Sequence, residues 1–318
     1  LTALRPRLSV GVDIGGTKIL GVVVDRAQPS VIRSEHRVPT PRGTEAVLDA
    51  IAGVVRTLDG QESAGPVGSV GVGIAGLVSR EGVLRTAPNL PTLHEVAVKA
   101  ELEQRLCLPV HVDNDATCAA WGEHEAGAAR GVADAVFVAL GTGIGAGIVA
   151  GGDVERGVHG FAGEPGHMVV DPNGPFCPCG RRGCWERFAS GSGLGRLARD
   201  AAEAGRLQMA LRLAGGDLQA VRGEHVAKAA QEGDEQALEL LRTFAWWVAL
   251  GVANLVTLLD PSVVVIGGGL IEIGSPLMDP VREHYRELVM AYEQRPDVEI
   301  RAAQLGERAG AIGAAMLG

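Results

Sequence analysis

Three cysteines and one histidine fall within an eighteen-residue stretch, with a glutamate just outside each end. The run reads Glu164-Pro165-Gly166-His167, then nine residues, then Cys177-Pro178-Cys179-Gly180-Arg181-Arg182-Gly183-Cys184-Trp185-Glu186. One imidazole and three thiolates complete a tetrahedral Zn2+ site and leave no position for a catalytic water. Gly180 and Gly183 let the backbone turn tightly enough for three thiolates to converge. The chemistry expected is a closed, structural zinc that shapes a loop, with His167, Cys177, Cys179 and Cys184 as ligands. Free thiols or a disulfide are the bland alternative, against which the compact spacing and the closed count of four argue. Glu164 and Glu186 are not needed as ligands, so another task is open to them.

Glycine turns carry the second chemistry. Asp13-Ile14-Gly15-Gly16-Thr17-Lys18 joins two strand-like runs. It is no Walker A loop, which is longer and leads into a helix. Such a hairpin still presents backbone N–H groups and the Thr17 hydroxyl to phosphate oxygens. Asp13, at the strand end, is placed to reach Mg2+ through water. Gly141-Thr142-Gly143 offers a second hairpin of the same kind, and Gly267-Gly268-Gly269 follows a third strand, where a flat nucleoside could approach the backbone. A lone glycine turn is usually structural; three at strand ends, two in matching hairpins, point to a bound nucleotide. Asn114-Asp115 stands where a short strand meets a helix start. A carboxylate there is favoured by the helix dipole, but Asn and Asp are also preferred helix caps, and the residues alone leave both readings open.

The elements that must position these groups can be read from periodicity. Leu8–Ile14 and Thr17–Val24 read as strands, residues 44–58 as an amphipathic helix, and residues 67–74 as a buried strand ending near Gly76. Residues 95–106 read as a helix, 110–112 as a short strand, and a helix follows through Ala119, Glu123 and Ala126. The pattern then restarts: 135–140 strand, glycine turn, 144–150 strand. VGVDIGGTKILGVVVD and VFVALGTGIGAGIVAGG share strand, glycine turn, strand, which suggests an internal repeat of one supersecondary unit. Beyond the cysteine loop, helices are expected over 191–203, 224–231, 235–259, 276–290 and 307–317, with strands at 262–266 and 298–302. The natural division of the chain is near Asp115.

Composition narrows the class. With 318 residues the chain is near the size at which one core gives way to two. The net charge of -9 excludes a non-specific nucleic-acid surface, and aromatics at 3% argue against a base-stacking platform. Residues 244–259, FAWWVALGVANLVTLL, lack charge but fall short of the roughly 20 residues a bilayer needs. They read as a core helix, and no membrane partner is expected. Five cysteines, three of them a thiolate metal site, and no leader-like stretch before the first strand suit a cytoplasmic location. Cys107 and Cys118 are expected as buried thiols in apolar surroundings.

DIGGTK, VDNDA, GTGIGAG, EPGH and CPCGRRGCWE, in this order, closely resemble the ROK family of sugar kinases and repressors, above all its branch of bacterial ATP-dependent glucokinases. The resemblance covers essentially the whole chain; the cysteine motif followed by Glu is highly specific, while the glycine motifs are shared across actin-like ATPases. It implies an α/β, two-domain actin-like ATPase (ribonuclease H-like) fold with a sugar-binding cleft between domains. The first domain would span 1–115, with a C-terminal helix at 305–318 packed back onto it, and the second 116–304 with the zinc loop. By the same resemblance Asp115 is the catalytic base, and Asn89, Asn114, Asp115, Glu164, His167 and Glu186 hold the sugar. Asp13, Gly15, Gly16, Thr17, Lys18, Gly141, Thr142, Gly143, Gly267 and Gly268 belong to the ATP and Mg2+ region.

The implied activity is transfer of the ATP γ-phosphoryl group to the 6-hydroxyl of glucose, by a homodimer or homotetramer acting on a small sugar. N-acetylmannosamine, N-acetylglucosamine, mannose or fructose are the alternative acceptors. A sugar-responsive regulator is disfavoured by the acidic balance and the lack of a basic recognition helix. Two departures bear on sugar preference: Thr117 stands where these kinases commonly carry Asn, and Thr92-Leu93 where Gly-Trp is frequent.

Overall fold

The computed structural model describes residues 7–318. A run of β-branched residues forms β1 (Leu8–Ile14), turns at Gly15-Gly16-Thr17 and returns as β2 (Lys18–Asp25), with β3 (Ile32–Pro39) alongside. The β1–β2 hairpin is in antiparallel register from Leu8↔Asp25 to Ile14↔Ile19. Helix α1 (Thr44–Gln61) crosses to β4 (Ser69–Ile74), which runs parallel to β1. Three short strands, β5 (Leu77–Val78), β6 (Leu84–Thr86) and β7 (His94–Val96), make a small antiparallel sheet. Helix α2 (Val98–Leu106) returns to β8 (Val110–Asn114), parallel to β4, and Asn114 leads straight into α3 (Asp115–Ala126). The order β3-β2-β1-β4-β8 sets the C-terminal ends of three parallel strands side by side. Register then aligns Asp13 with Gly73 and Gly73 with Asp113, one residue short of Asn114.

The second half repeats the plan. β9 (Ala135–Leu140), β10 (Ile144–Ala150) and β11 (Asp153–Glu155) precede the cysteine loop. Helices α4 (Glu186–Ala189), α5 (Gly191–Glu203), α6 (Gln208–Leu213), α7 (Gly223–Gln231) and α8 (Glu235–Leu259) follow. Then come β12 (Val263–Gly267), α9 (Ser275–Leu288), β13 (Glu299–Ala302) and α10 (Ala309–Leu317). The sheet order β11-β10-β9-β12-β13 is the order of the first sheet over again, so the repeat visible in the two glycine hairpins is architectural. By length and composition α8 could cross a membrane, but 61% of its apolar window is buried inside the protein, as a core helix requires. By contact the chain forms two compact units. One holds the described residues up to Phe137 with Ala146–Gly163 and Ala303–Gly318; the other holds Val138–Gly145 and Glu164–Ala302.

Alternation along β1 sorts the faces of the first sheet. Val10, Val12 and Ile14 join Val47, Leu48, Ile51, Val54, Val55 and Leu58 of α1 in one core. On the other side Leu20, Val22 and Val24 of β2 meet Ala311, Ile312, Ala315 and Met316 of α10. Here the backbones touch. A Cβ added at Gly11 would lie 1.8 Å from the Ala311 carbonyl oxygen, and one at Gly71 1.7 Å from that of Ala314. The small-residue sequence of α10 and the glycines of β1 and β4 are thus one packing device. Glu123, fully buried on α3, fastens the same region: its carboxylate accepts from the N–H groups of Ala128 (2.7 Å), Gln304 (3.0 Å) and Leu305 (2.8 Å).

Several elements depart from the periodicity reading. β3 has the sequence IRSEHRVP and alternates half-buried with exposed residues, an edge strand whose charges guard its open side. Residues 94–96 pair with β6, and Glu95 has φ 52°, so α2 starts at Val98 rather than at 95. Cys118 is buried as expected. Cys107 is not: it is exposed, in the left-handed cap of α2 (φ 55°), a conformation that turns it out of the core.

Candidate active site

In the first unit, the strand ends assemble a pair of carboxylates. Asp13 is the penultimate residue of β1 and lies against the first turn of α10, where a Cβ on Gly310 would be 3.0 Å from its carboxylate. Asp115 is the first residue of α3 and accepts a hydrogen bond from the Ala116 N–H (2.9 Å). A Cβ on Gly73, between them in the sheet, would meet the Asp115 Cα at 3.5 Å and the Cys118 sulfur at 3.2 Å. Burial raises the Asp115 carboxyl above its ordinary range. Burial, then the field of Asp115, pushes Asp13 up to about 7, against the pull of Lys18 and the Ile14 N–H. Two carboxylates held together at such a cost are placed to take a proton or to face a divalent cation.

Asn114 fills both roles of a cap. Its Oδ1 accepts from the Thr117 N–H (3.0 Å) and its Nδ2 donates to the Gly76 carbonyl (3.1 Å), tying the end of β4 to the start of α3. Neighbouring Asp113 faces the other way. Burial pushes its carboxyl up, but His111 (3.2 Å) and Arg156 (2.7 Å) outweigh it and hold it below the usual range.

The Gly15–Lys18 turn closes through Gly15 N–H to Lys18 C=O (3.0 Å), and Thr40 clamps it by donating to the Gly15 carbonyl (2.7 Å). Asn89 packs on this turn: a Cβ on Gly16 would be 3.1 Å from its carbonyl oxygen. The Lys18 ammonium and the Arg37 guanidinium both hold Glu307, ahead of α10, and pull its carboxyl down to about 2. Leu93, in the segment that departs from the family pattern, belongs to the core.

In the second unit, one ligand atom each from His167, Cys177, Cys179 and Cys184 lies within 4.8 Å of every other. A tetrahedral zinc with thiolate bonds of 2.3 Å needs ligand atoms about 3.8 Å apart. The Cys177 sulfur to His167 Nδ1 distance is 3.8 Å and the Cys179–Cys184 sulfur distance 3.5 Å, so donor set and spacing fit zinc. Glu186 adjoins the cluster: its Oε1 accepts from the Cys177 thiol (3.1 Å) and lies 3.7 Å from His167 Nδ1. Glu164 precedes the 3-10 turn Pro165–His167, and its carbonyl accepts from the His167 N–H (3.1 Å).

The Gly141–Gly143 turn lies against this loop. A Cβ on Gly143 would be 2.7 Å from Glu186 Oε2, and the Gly191 N–H at the start of α5 donates to the Gly141 carbonyl (2.8 Å). Gly268, with φ 84°, brings the end of β12 onto the same strand: its Cβ would be 2.4 Å from the Leu140 carbonyl oxygen. The histidine and three cysteines, Glu186 and two of the glycine turns are therefore one continuous structure.

Two residues that fix this geometry carried no readable signal of it. The Trp185 indole is buried in a slot of α8, where a Cβ on Gly251 would lie 1.9 Å away, and its Nε1 donates to the Trp247 carbonyl (2.7 Å). It anchors the residue beside Glu186. Ser190, fully buried, donates to the Glu186 carbonyl (2.6 Å) and caps α5 through the Gly193 N–H (3.2 Å).

The model of the ROK family matches residues 9–318. The chain belongs to the ROK family. A curated relative, glucokinase of Streptomyces coelicolor, is 42% identical over 98% of this chain and 97% of its own. Glucokinase of Thermotoga maritima is 35% identical over 98% of each. Among solved structures, a ROK family glucokinase from Streptomyces griseus, crystallised with glucose and AMPPNP, superimposes with a TM-score of 0.86 at 41% identity over 98% of both chains. The fold of this ROK chain is accordingly the two-domain, actin-like α/β fold of the sugar kinases.

The carboxylate pair gives a pH-dependent stability. Asp13 has a folded pKa of about 7 against an ordinary 3.8, so folding favours its protonated form. The associated stability is present below pH 3.8 and is lost as pH rises through about 7, by on the order of 4 kcal/mol. Asp13→Asn is therefore expected to raise the melting temperature at pH 8 in magnesium-free buffer and to change it little at pH 4. An unchanged or lower melting temperature at pH 8 contradicts the assignment.

Proposed function

We propose that this chain is an ATP-dependent glucokinase that transfers the γ-phosphoryl group to the 6-hydroxyl of glucose. The observation that carries the reading is similarity along nearly its whole length to bacterial glucokinases, at 35–42% identity. Phosphoryl transfer depends mainly on positioning and charge stabilisation, with little covalent chemistry for the protein. Asp115 orients the acceptor hydroxyl and takes its proton as the new bond forms; burial raises its carboxyl and makes it a stronger base than an exposed one. Asn89, Asn114, Glu164, His167 and Glu186 hold the remaining hydroxyls. The Gly15–Lys18 and Gly141–Gly143 turns present N–H groups to the phosphates, and Gly267-Gly268 admits the nucleoside.

Mg2+, when bound, offsets phosphate charge; Asp13 would hold it through water. Zinc, when bound to His167, Cys177, Cys179 and Cys184, supplies a fixed crosslink. With Nδ1 turned to the thiols, His167 keeps Nε2 as a donor for a sugar hydroxyl. The thiolate set suits a reducing compartment, and we place the enzyme in the cytoplasm.

The test is an ADP-coupled assay over glucose, mannose, fructose, N-acetylglucosamine and N-acetylmannosamine with ATP as donor. Glucose should give the highest kcat/KM. A higher value with an N-acetylated sugar overturns the glucose assignment, and no turnover with any sugar overturns the kinase.

A further inference from the structure

The two glycines of the Gly141–Gly143 turn are not alike. A methyl on Gly141 would meet no atom beyond its own turn, whose nearest lies 4.0 Å away. A methyl on Gly143 would sit 2.7 Å from Glu186 Oε2 and 3.8 Å from its Cδ, with no other atom within 4 Å. The Gly143 backbone lies outside the left-handed region, so an alanine fits its conformation. The group a side chain at position 143 would meet is therefore the Glu186 carboxylate and no atom of the turn. The residue that carries it has neighbours on several sides. Its other oxygen lies 3.1 Å from the Cys177 sulfur and 3.7 Å from His167 Nδ1, while Trp185 and Ser190 pin the backbone around it.

We propose that Gly143 is a sugar-positioning residue: by leaving space for Glu186 against the phosphate turn, it sets the carboxylate where a sugar hydroxyl can donate to it. This rests on the reading of Glu186 as a sugar contact. It assigns to a glycine of the nucleotide turn a role that does not involve the nucleotide. A side chain at 143 pushes the Glu186 carboxylate off the turn, and the displaced group no longer meets its hydroxyl at hydrogen-bond distance.

The experiment is calorimetric titration of glucose into zinc-replete protein with no nucleotide present, for wild type, Gly143→Ala, Glu186→Ala and the double variant. Gly143→Ala should weaken glucose binding about tenfold, the loss of one charge-assisted hydrogen bond. In the Glu186→Ala background the same change should add nothing, because the atoms it displaces are gone. Zinc content should stay at the wild-type level in Gly143→Ala. Four results overturn the proposal. Unaltered glucose affinity in Gly143→Ala, with Glu186→Ala weakened, rejects the role of Gly143 and leaves Glu186 as a sugar contact. Unaltered affinity in Glu186→Ala rejects that contact itself. Weakened binding together with lost zinc, or an equal loss in both backgrounds, places the effect elsewhere in the loop.

Discussion

Replacing Asp115 by asparagine is expected to lower kcat with glucose by on the order of 10³-fold, the scale of a positioned general base. Glucose affinity, measured by titration, should stay within about threefold, since an amide still accepts and donates hydrogen bonds. The fold should not suffer. Asp115 has a folded pKa raised by burial, so its ionisation opposes folding as pH rises through that value, and a neutral isostere removes the opposition. The melting temperature of Asp115→Asn at pH 8 should equal or exceed that of the wild type. The pH profile separates a base from a merely structural carboxylate. For the wild type, kcat/KM should climb with pH until Asp115 is ionised and then level off, and the residual activity of the variant should lack that limb. A variant that keeps a tenth or more of wild-type kcat removes Asp115 from the role of base.

How far the site could be read in advance depended on the kind of constraint. Zinc demands residue types, and types are what a sequence displays: His167, Cys177, Cys179 and Cys184 were legible as one cluster, and the ligand atoms do converge within 4.8 Å. The strands that carry the turns were legible because both of their faces are buried and their β-branched runs are continuous, as in β1, β2, β4 and β12. β3 was not, because an edge strand with Arg33, Glu35 and Arg37 on its outer side lacks the apolar content that marks a strand. The three strands β5 to β7 have two or three residues each, too few for any period to show.

Contacts that rest on absence were invisible. Gly11 and Gly71 read as ordinary glycines, and Gly143 as part of a phosphate turn; only the third dimension shows Ala311, Ala314 and Glu186 in the space a side chain would fill. The buried carboxylate of Glu123 is a further case. One glutamate on a helix reads as solvated, yet this one binds the N–H groups of Gln304 and Leu305 from the far end of the chain. Of the two readings open at Asn114 the structure displays the helix cap, with the amide engaged on both sides.

Cys179→Ala is expected to remove zinc and sugar phosphorylation together, and of the four ligands it gives the cleanest trial. Cys177 and Cys184 are fully buried, so shortening either would mix lost packing with lost ligation. Cys179 is exposed, and its removal leaves the core of the loop in place. Metal analysis should fall from one zinc per chain toward none, because three remaining ligands hold a structural zinc far less tightly than four. The glucose kcat/KM should drop by on the order of 10²-fold, the effect of losing the support of a site rather than its reacting groups. The reason lies in how Glu186 is held. Its carboxylate is wedged between Cys177 at 3.1 Å and the position of Gly143, and it follows directly on the loop that the cysteines close. Without the crosslink, the Cys177–Glu186 side of the loop loses its fixed reference, whereas Asp115, at the first residue of α3, keeps its own backbone hydrogen bond to Ala116. Binding measurements should therefore show glucose affinity falling with the zinc. A wild-type preparation free of zinc by metal analysis yet fully active with glucose would defeat the account.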